Sequence, residues 1–165
     1  MDPCIRRYVM QSDFYGVYRV RHISLDWPLI TSLVERWRPE THTFYLPIGE
    51  MTIILQDVAM ILGLRIYGPP IIDKCDIDWL LLCSKLLSVV PPPSHIRRLA
   101  ISTRWLCEQF SYPPAGVDDV ILQRYARAFI LALLGGALFA DKTGTHVQLC
   151  YLPLLRDFIE ISYYS

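Results

Sequence analysis

The chain has 165 residues, 53% of them hydrophobic and only 19% charged, enough for one domain with a real core. Sixteen lysines and arginines balance sixteen aspartates and glutamates, so no whole-molecule field exists to draw in DNA or acidic membranes. The same neutrality leaves an apolar chain poorly protected against self-association.

Met1 to His22 is aromatic-rich (Tyr8, Phe14, Tyr15, Tyr18) without a clear period, and reads as an irregular lead-in over the core. Asp26 is placed to cap a helix whose first turn tolerates Pro28. That helix runs to about Trp37, with Leu33, Val34 and Trp37 near one face, and Arg38-Pro39 ends it. Thr43 to Leu46 is β-branched and aromatic, Pro47-Ile48-Gly49 turns the chain, and Met51 to Ile54 returns as a second strand. Leu55, Val58, Ile61 and Leu62 recur at helical spacing, with Gly63 suited to close the helix in a left-handed conformation.

Asp76 or Asp78 opens a helix through Trp79, Leu82, Cys83, Leu86 and Leu87, stopped by Pro91-Pro92-Pro93. His95 to Phe110 reads as a further helix, with Ile96, Leu99, Ala100, Trp105 (or Leu106) and Phe110 on one face. Asp118 or Asp119 opens the longest helix, in which Ile121, Tyr125, Phe129 and Leu133 recur every four residues. The apolar run Ala128 to Ala140 is shorter than the ~20 residues of a bilayer span and reads as a buried helix. Gly135-Gly136 lets another backbone approach or bends this helix. Asp141 to Gly144 is a turn, Val147 to Leu149 a short strand, and Leu152 to Ile161 a last helix beginning at Pro153. No internal repeat or low-complexity stretch appears, and the opening residues, which lack a basic, apolar, small-residue leader pattern, carry no expectation of secretion.

Residues that could carry chemistry read mostly as structure. Cys4, Cys75, Cys83, Cys107 and Cys150 form no CxxC pair, and their odd number fits free thiols in a reducing compartment. His22, His95 and His146 are isolated and lack metal-ligand spacing. His42, between two threonines, reads as a structural hydrogen-bonding group rather than a general base. Gly135-Gly136 lacks the GKS or GKT of a phosphate loop. Three lysines, Lys74, Lys85 and Lys142, bring no phosphate cup with them, and Lys142 reads as a solvated turn residue. Arg97-Arg98 and Arg104 are too few for a phosphate-tracking surface on a neutral protein.

The densest polar cluster is Glu35, Arg36, Trp37, Arg38, Glu40, Thr41 and His42. It has two readings. Its mixed charges lock the helix end to the following strand through charge-assisted hydrogen bonds, or it faces a partner with Trp37 or Arg38 as anchor.

ERWRPETHTFYLPIGEMT (35–52), LQDVAMILGL (55–64) and ARAFILALLGGALFADKTGTHVQLCYLPLLRDF (126–158) together resemble the plant mobile domain. That domain occurs in plant transposable elements, maintenance-of-meristems proteins and long-form homologues of serine/threonine phosphatase 7. The resemblance covers about residues 14–165, with 33–68 as its central motif, and implies the N-terminal half of a family domain, truncated where relatives continue. It carries an aminotransferase-like label, which Lys142 does not support. Two departures stand out: Ile54 and Gln56 replace a threonine and a glutamate, which removes half of a capping box before Asp57. Arg65, Tyr67 and Pro69 also differ from the usual loop.

The expectations are therefore a mainly α fold with a small β-hairpin element, as a single partial domain over 1–165. No catalytic, cofactor or metal site is expected. The resemblance implies a non-catalytic nuclear interaction module, tied to transposon silencing, genome stability and meristem maintenance, with phosphatase-7-like or other mobile-domain proteins as partners. A transposon-derived nucleic-acid-binding module, or a remnant without function, is the alternative. No membrane association is expected. Trp79, Trp105, Phe129, Leu133, Phe139, Leu154 and Leu155 are more apolar surface than half a domain covers, which predicts self-association or a partner supplying the missing face.

Overall fold

A 15-residue helix, Asp119–Leu133, forms the axis of the computed structural model, which describes residues 2–20, 24–64, 77–139 and 145–158. Numbered in chain order it is α7, after α1 (Pro3–Gln11), α2 (Tyr15–Val20), α3 (Trp27–Glu35), α4 (Leu55–Leu62), α5 (Trp79–Leu86) and α6 (Thr103–Gln109). The protein is mainly helical with two small antiparallel sheets, an α+β arrangement. Asp118 caps α7 by accepting from the Ile121 amide at 3.0 Å. Residues Ala126 to Leu133 are buried apart from half-buried Phe129, so α7 is covered nearly all round in its second half. Its alanines have no side chain beyond Cβ, which suits close packing of α1, α6 and the last turn of chain against it. With its π-helical extension to Leu138 this run is 20 residues, long and apolar enough to cross a membrane; half of its most apolar stretch is buried inside the protein.

The first sheet runs β1 (Trp37–Arg38), β2 (Thr43–Leu46), β3 (Gly49–Met51). The hairpin falls where the turn residues predict it, with Leu46 opposite Gly49 across Pro47-Ile48. Gly49 takes a φ of 128°, a conformation costly for a residue with a Cβ. The second strand is shorter and earlier than the expected Met51 to Ile54. Ile54 is instead the N-cap of α4, and Gly63 closes that helix at φ 69°.

Three stretches depart from the sequence reading. The N-terminal region is two helices, not an irregular cover. Asp2 accepts from the Cys4 amide at 2.8 Å, Pro3 fills the first turn, and Ile5, Tyr8 and Val9 are buried at helical spacing. The break at Asp13, φ 61°, interrupts the period and hides it from inspection.

His95 to Phe110 is not one helix. A short 3₁₀ turn (Pro93–His95) leads to β4 (Ile96–Arg97) and β5 (Ala100–Ser102), and Ser102 caps the real helix, α6. The reversal at Arg98, φ 46°, makes a hairpin, and β5 then pairs with β6 (His146–Gln148), Ile101 opposite Val147. Long-range pairing thus overrides an apolar spacing that fits a helix.

The last helix, expected from Leu152 to Ile161, is a 3₁₀ helix over Leu149–Arg156 with Pro153 inside it. The turn at 141–144 lies outside the described residues, as do Lys74, Lys142, Cys75, His22 and the loop of Arg65, Tyr67 and Pro69.

Arg127 joins these pieces. Its Nε donates to the Leu155 carbonyl at 2.8 Å, and its Nη2 donates to the Arg156 carbonyl at 3.1 Å and to Gln123 Oε1 at 3.2 Å. Nη1 reaches the Leu86 carbonyl at a long 3.5 Å, and the guanidinium lies 5.3 Å from the Phe158 ring centre. One buried side chain therefore ties α7 to the end of α5 and to the C-terminal 3₁₀ helix.

The apolar residues expected to lack cover are largely covered. Trp105, Leu133 and Leu155 are buried, and Trp79, Phe129 and Leu154 pack part-buried on the core. Phe139 remains half exposed and stacks on Tyr151 at 4.9 Å. Local spacing could not show that α1 and the second sheet (β4–β6) would supply this cover.

Candidate partner-binding face

Uncovered apolar surface is concentrated in the stretch that carries the central motif. Leu25, Trp27, Leu29 and Val34 on and before α3 are exposed, and α3 has no buried residue. Tyr45, Ile48 and Met51 follow on the first sheet, then Ile53, Ile54, Leu55, Val58, Met60 and Ile61 around α4. Ile48 is 84% exposed and Met60 81%, a degree that single scattered apolar residues reach but a run of this length rarely does.

The elements hold this surface out for local reasons. Asp26 accepts from the Leu29 amide at 3.1 Å and so starts α3 without tertiary help. The Arg36 carbonyl accepts from the Tyr45 amide at 2.9 Å, fixing the end of α3 to β2. Thr52 Oγ1 donates to the His42 carbonyl at 2.9 Å, which closes the sheet from the other side. The principal contact with the body runs through α4 and α2. Ala59 and Leu62 are buried, and Gly16 of α2 lies so close that an added Cβ would sit 1.8 Å from the Leu62 carbonyl oxygen. Only glycine fits there.

The predicted polar cluster lies on this face, at the α3–β1 junction and the β1–β2 turn. Glu35, Arg36, Trp37, Arg38, Glu40 and His42 are all exposed. Arg38 lies over the Tyr45 ring at 4.4 Å, a cation–π contact. Trp37 meets Phe44 at 4.8 Å and the His42 ring at 6.1 Å. Among the described residues no ion pair joins the cluster's charged side chains; the helix end is held to the strand by backbone bonds. His42 takes φ 54° and uses its backbone carbonyl in the sheet. Thr41 and Thr43 hydroxyls lie 2.7 Å apart.

Elsewhere an apolar groove of about 580 Å³ is lined by Trp79, Leu80, Val90, Pro93, Ile96 and Leu99, among others. Among the described residues no three His, Cys, Asp or Glu side chains converge. Burial pushes the Cys83 thiol up to about 11, which suits an inert packing role. Cys4 and Cys107 are exposed. Arg97 and Arg98 sit exposed at the β4–β5 turn, whereas Arg104 pairs with Glu108 at 2.8 Å.

A mainly helical α+β protein with an outlying helix–sheet–helix face is thus the class that fold and site define. The chain belongs to the plant mobile domain family, whose model matches residues 13–165. It is 48% identical over 98% of its length to a serine/threonine-protein phosphatase 7 long form homolog of Arabidopsis thaliana, covering 12% of that relative. It is 39% identical over 91% of its length to Protein MAIN-LIKE 2 and 36% over 92% to Protein MAINTENANCE OF MERISTEMS, both of the same plant, covering 22% and 32% of them. The chain therefore spans less than a third of each of these relatives. No solved structure matches it.

Proposed function

We propose that this chain is a non-catalytic protein-interaction module acting in the plant nucleus, with the face of residues 25–61 as its docking surface. The observation that carries this reading is the concentration of exposed large apolar residues in residues 25–61, which hold 14 of the 22 among the described residues and overlap the central family motif. Such surface is costly in water and marks an interaction site. The name of one relative, MAINTENANCE OF MERISTEMS, fits a role in meristem maintenance, and the family resemblance adds transposon silencing and genome stability. Phosphatase-7-like and other mobile-domain proteins are the partners the resemblance favours. Among the described residues no three His, Cys, Asp or Glu side chains converge on this face.

The test is co-purification of the tagged chain with its phosphatase-7-like and MAIN-like relatives, beside a Met60→Ser/Ile61→Ser form. Loss of binding in the double variant, with no phosphatase activity and no DNA retardation by the parent chain, is the expected result. DNA binding that survives the double variant and vanishes with Arg97→Ala/Arg98→Ala would replace this reading with a nucleic-acid module.

A further inference from the structure

We propose that residues 24–64 open from the body as one unit while the body stays folded, with the α2–α4 contact as the latch that sets how often they do so. The inference concerns the stability of this stretch rather than what docks on it, and it stands independently of the interaction reading. Ala59 and Leu62 are the only buried residues in 24–64, whereas α7 alone buries seven. Ordering the backbone costs conformational entropy at every residue, and full burial offsets that cost here at only two positions. A stretch with so little buried contact opens at a fraction of the free energy of global unfolding.

The polar bonds of the segment close inside it. The Arg36 carbonyl accepts from the Tyr45 amide, which couples the end of α3 to β2. Thr52, just past β3, donates to the His42 carbonyl just before β2, and the Ile54 amide donates to Asp57 at the start of α4. Among the described residues no hydrogen bond or ion pair joins 24–64 to the rest of the chain. These elements are therefore tied to one another by polar bonds and to the body only by packing, which makes them a unit.

The principal join to the body is apolar and lies at the segment's C-terminal end. Leu62 packs with Val17 of α2 and Leu133 of α7, and half-buried Leu64, Phe14 and Tyr18 flank them. The fit depends on backbone meeting backbone, since a Cβ on Gly16 would lie 1.8 Å from the Leu62 carbonyl oxygen. A side chain at position 16 must push α4 away. Alanine has a higher helix propensity than glycine, so a segment loosened by Gly16→Ala reports the clash and not a weakened α2.

The experiment is native-state hydrogen exchange on the full chain, comparing the parent with Gly16→Ala and, separately, Leu62→Ala. The Tyr45 and Leu64 amides, bonded within the segment, should exchange about a hundredfold or more faster, relative to their intrinsic rates, than the amides of Ala128 to Leu131 in α7. Each variant should speed exchange in 24–64 about tenfold or more and leave Ala128 to Leu131 within about twofold. The parent pattern tests the opening by itself, so poor folding of a variant leaves the proposal falsifiable. Equal protection of the segment and α7 in the parent would overturn it. So would variants that leave the segment's exchange unmoved, or that speed α7 as much as the segment. No partner enters this measurement, so its failure leaves the docking reading intact, and failed co-purification leaves the latch intact.

Discussion

Ile54 occupies the N-cap of α4 with φ −100° and ψ 164°, the extended conformation of a capping residue. Its amide donates to Asp57 Oδ2 at 2.9 Å, but its hydrocarbon side chain has no oxygen to return the bond. Half a capping box is present. Since Ile54 is 48% exposed, Ile54→Thr forfeits little burial and should raise stability by ~0.5–2 kcal/mol in urea melts; a loss would mean its apolar contacts outweigh the cap. Arg127 stands at the opposite extreme. Burial, reinforced by Arg124, pulls its pKa below the usual arginine value, though arginine stays charged. Arg127→Leu would leave the Leu155 and Arg156 carbonyls without their donor, at ~1–3 kcal/mol for each one left unsatisfied. Arg127→Lys should recover less than half, because one ammonium cannot reproduce the guanidinium fork. Equal stability of the leucine form and the parent by chemical denaturation would remove Arg127 from its role as a tie.

Among the elements, the end of α7 shows how two adjacent glycines differ. The helix widens into a π turn over Leu134–Leu138. A Cβ on Gly135 would lie 2.5 Å from Val147 Cβ and 2.8 Å from Thr103 Cγ2, while a Cβ on Gly136 meets nothing within 4 Å. Gly135 thus lets α7 touch both α6 and the second sheet. Gly135→Ala should cost ~1–3 kcal/mol by overpacking. Gly136→Ala should be neutral or stabilise by up to ~1 kcal/mol, since helical glycine is the poorer residue. Denaturant midpoints that reverse this order would show that the π turn, not the approach of β6, demands glycine.

For the whole molecule the consequence is an uneven surface: most exposed large apolar side chains lie in residues 25–61, fewer on the body around α7. The free chain should bind a hydrophobic fluorescent dye, and Met60→Ser/Ile61→Ser should remove at least about half of that signal. Phe139→Ser, at an exposed position outside the segment, should change it little. A comparable drop from Phe139→Ser would mean that the apolar surface is spread over the molecule.

What the sequence determined by itself is the set of features whose chemistry closes within a few residues. Asp26, Asp78 and Asp118 cap their helices with amides two or three positions on. Gly63 takes the left-handed turn its lack of a side chain permits, Pro47-Ile48-Gly49 reverses the hairpin, and the Glu35–His42 cluster is local enough to be seen as a unit. Tertiary structure alone decided what depends on distant partners. Ile96 to Ser102 forms strands because β6 lies alongside, 46 residues from Ile101 to Val147. Arg127 is buried because carbonyls from Leu155 and Arg156 meet it. The apolar residues of α3 and α4 recur at helical spacing in the chain, and most of them face solvent. Periodicity states which side chains share a face, while only packing determines whether anything covers that face.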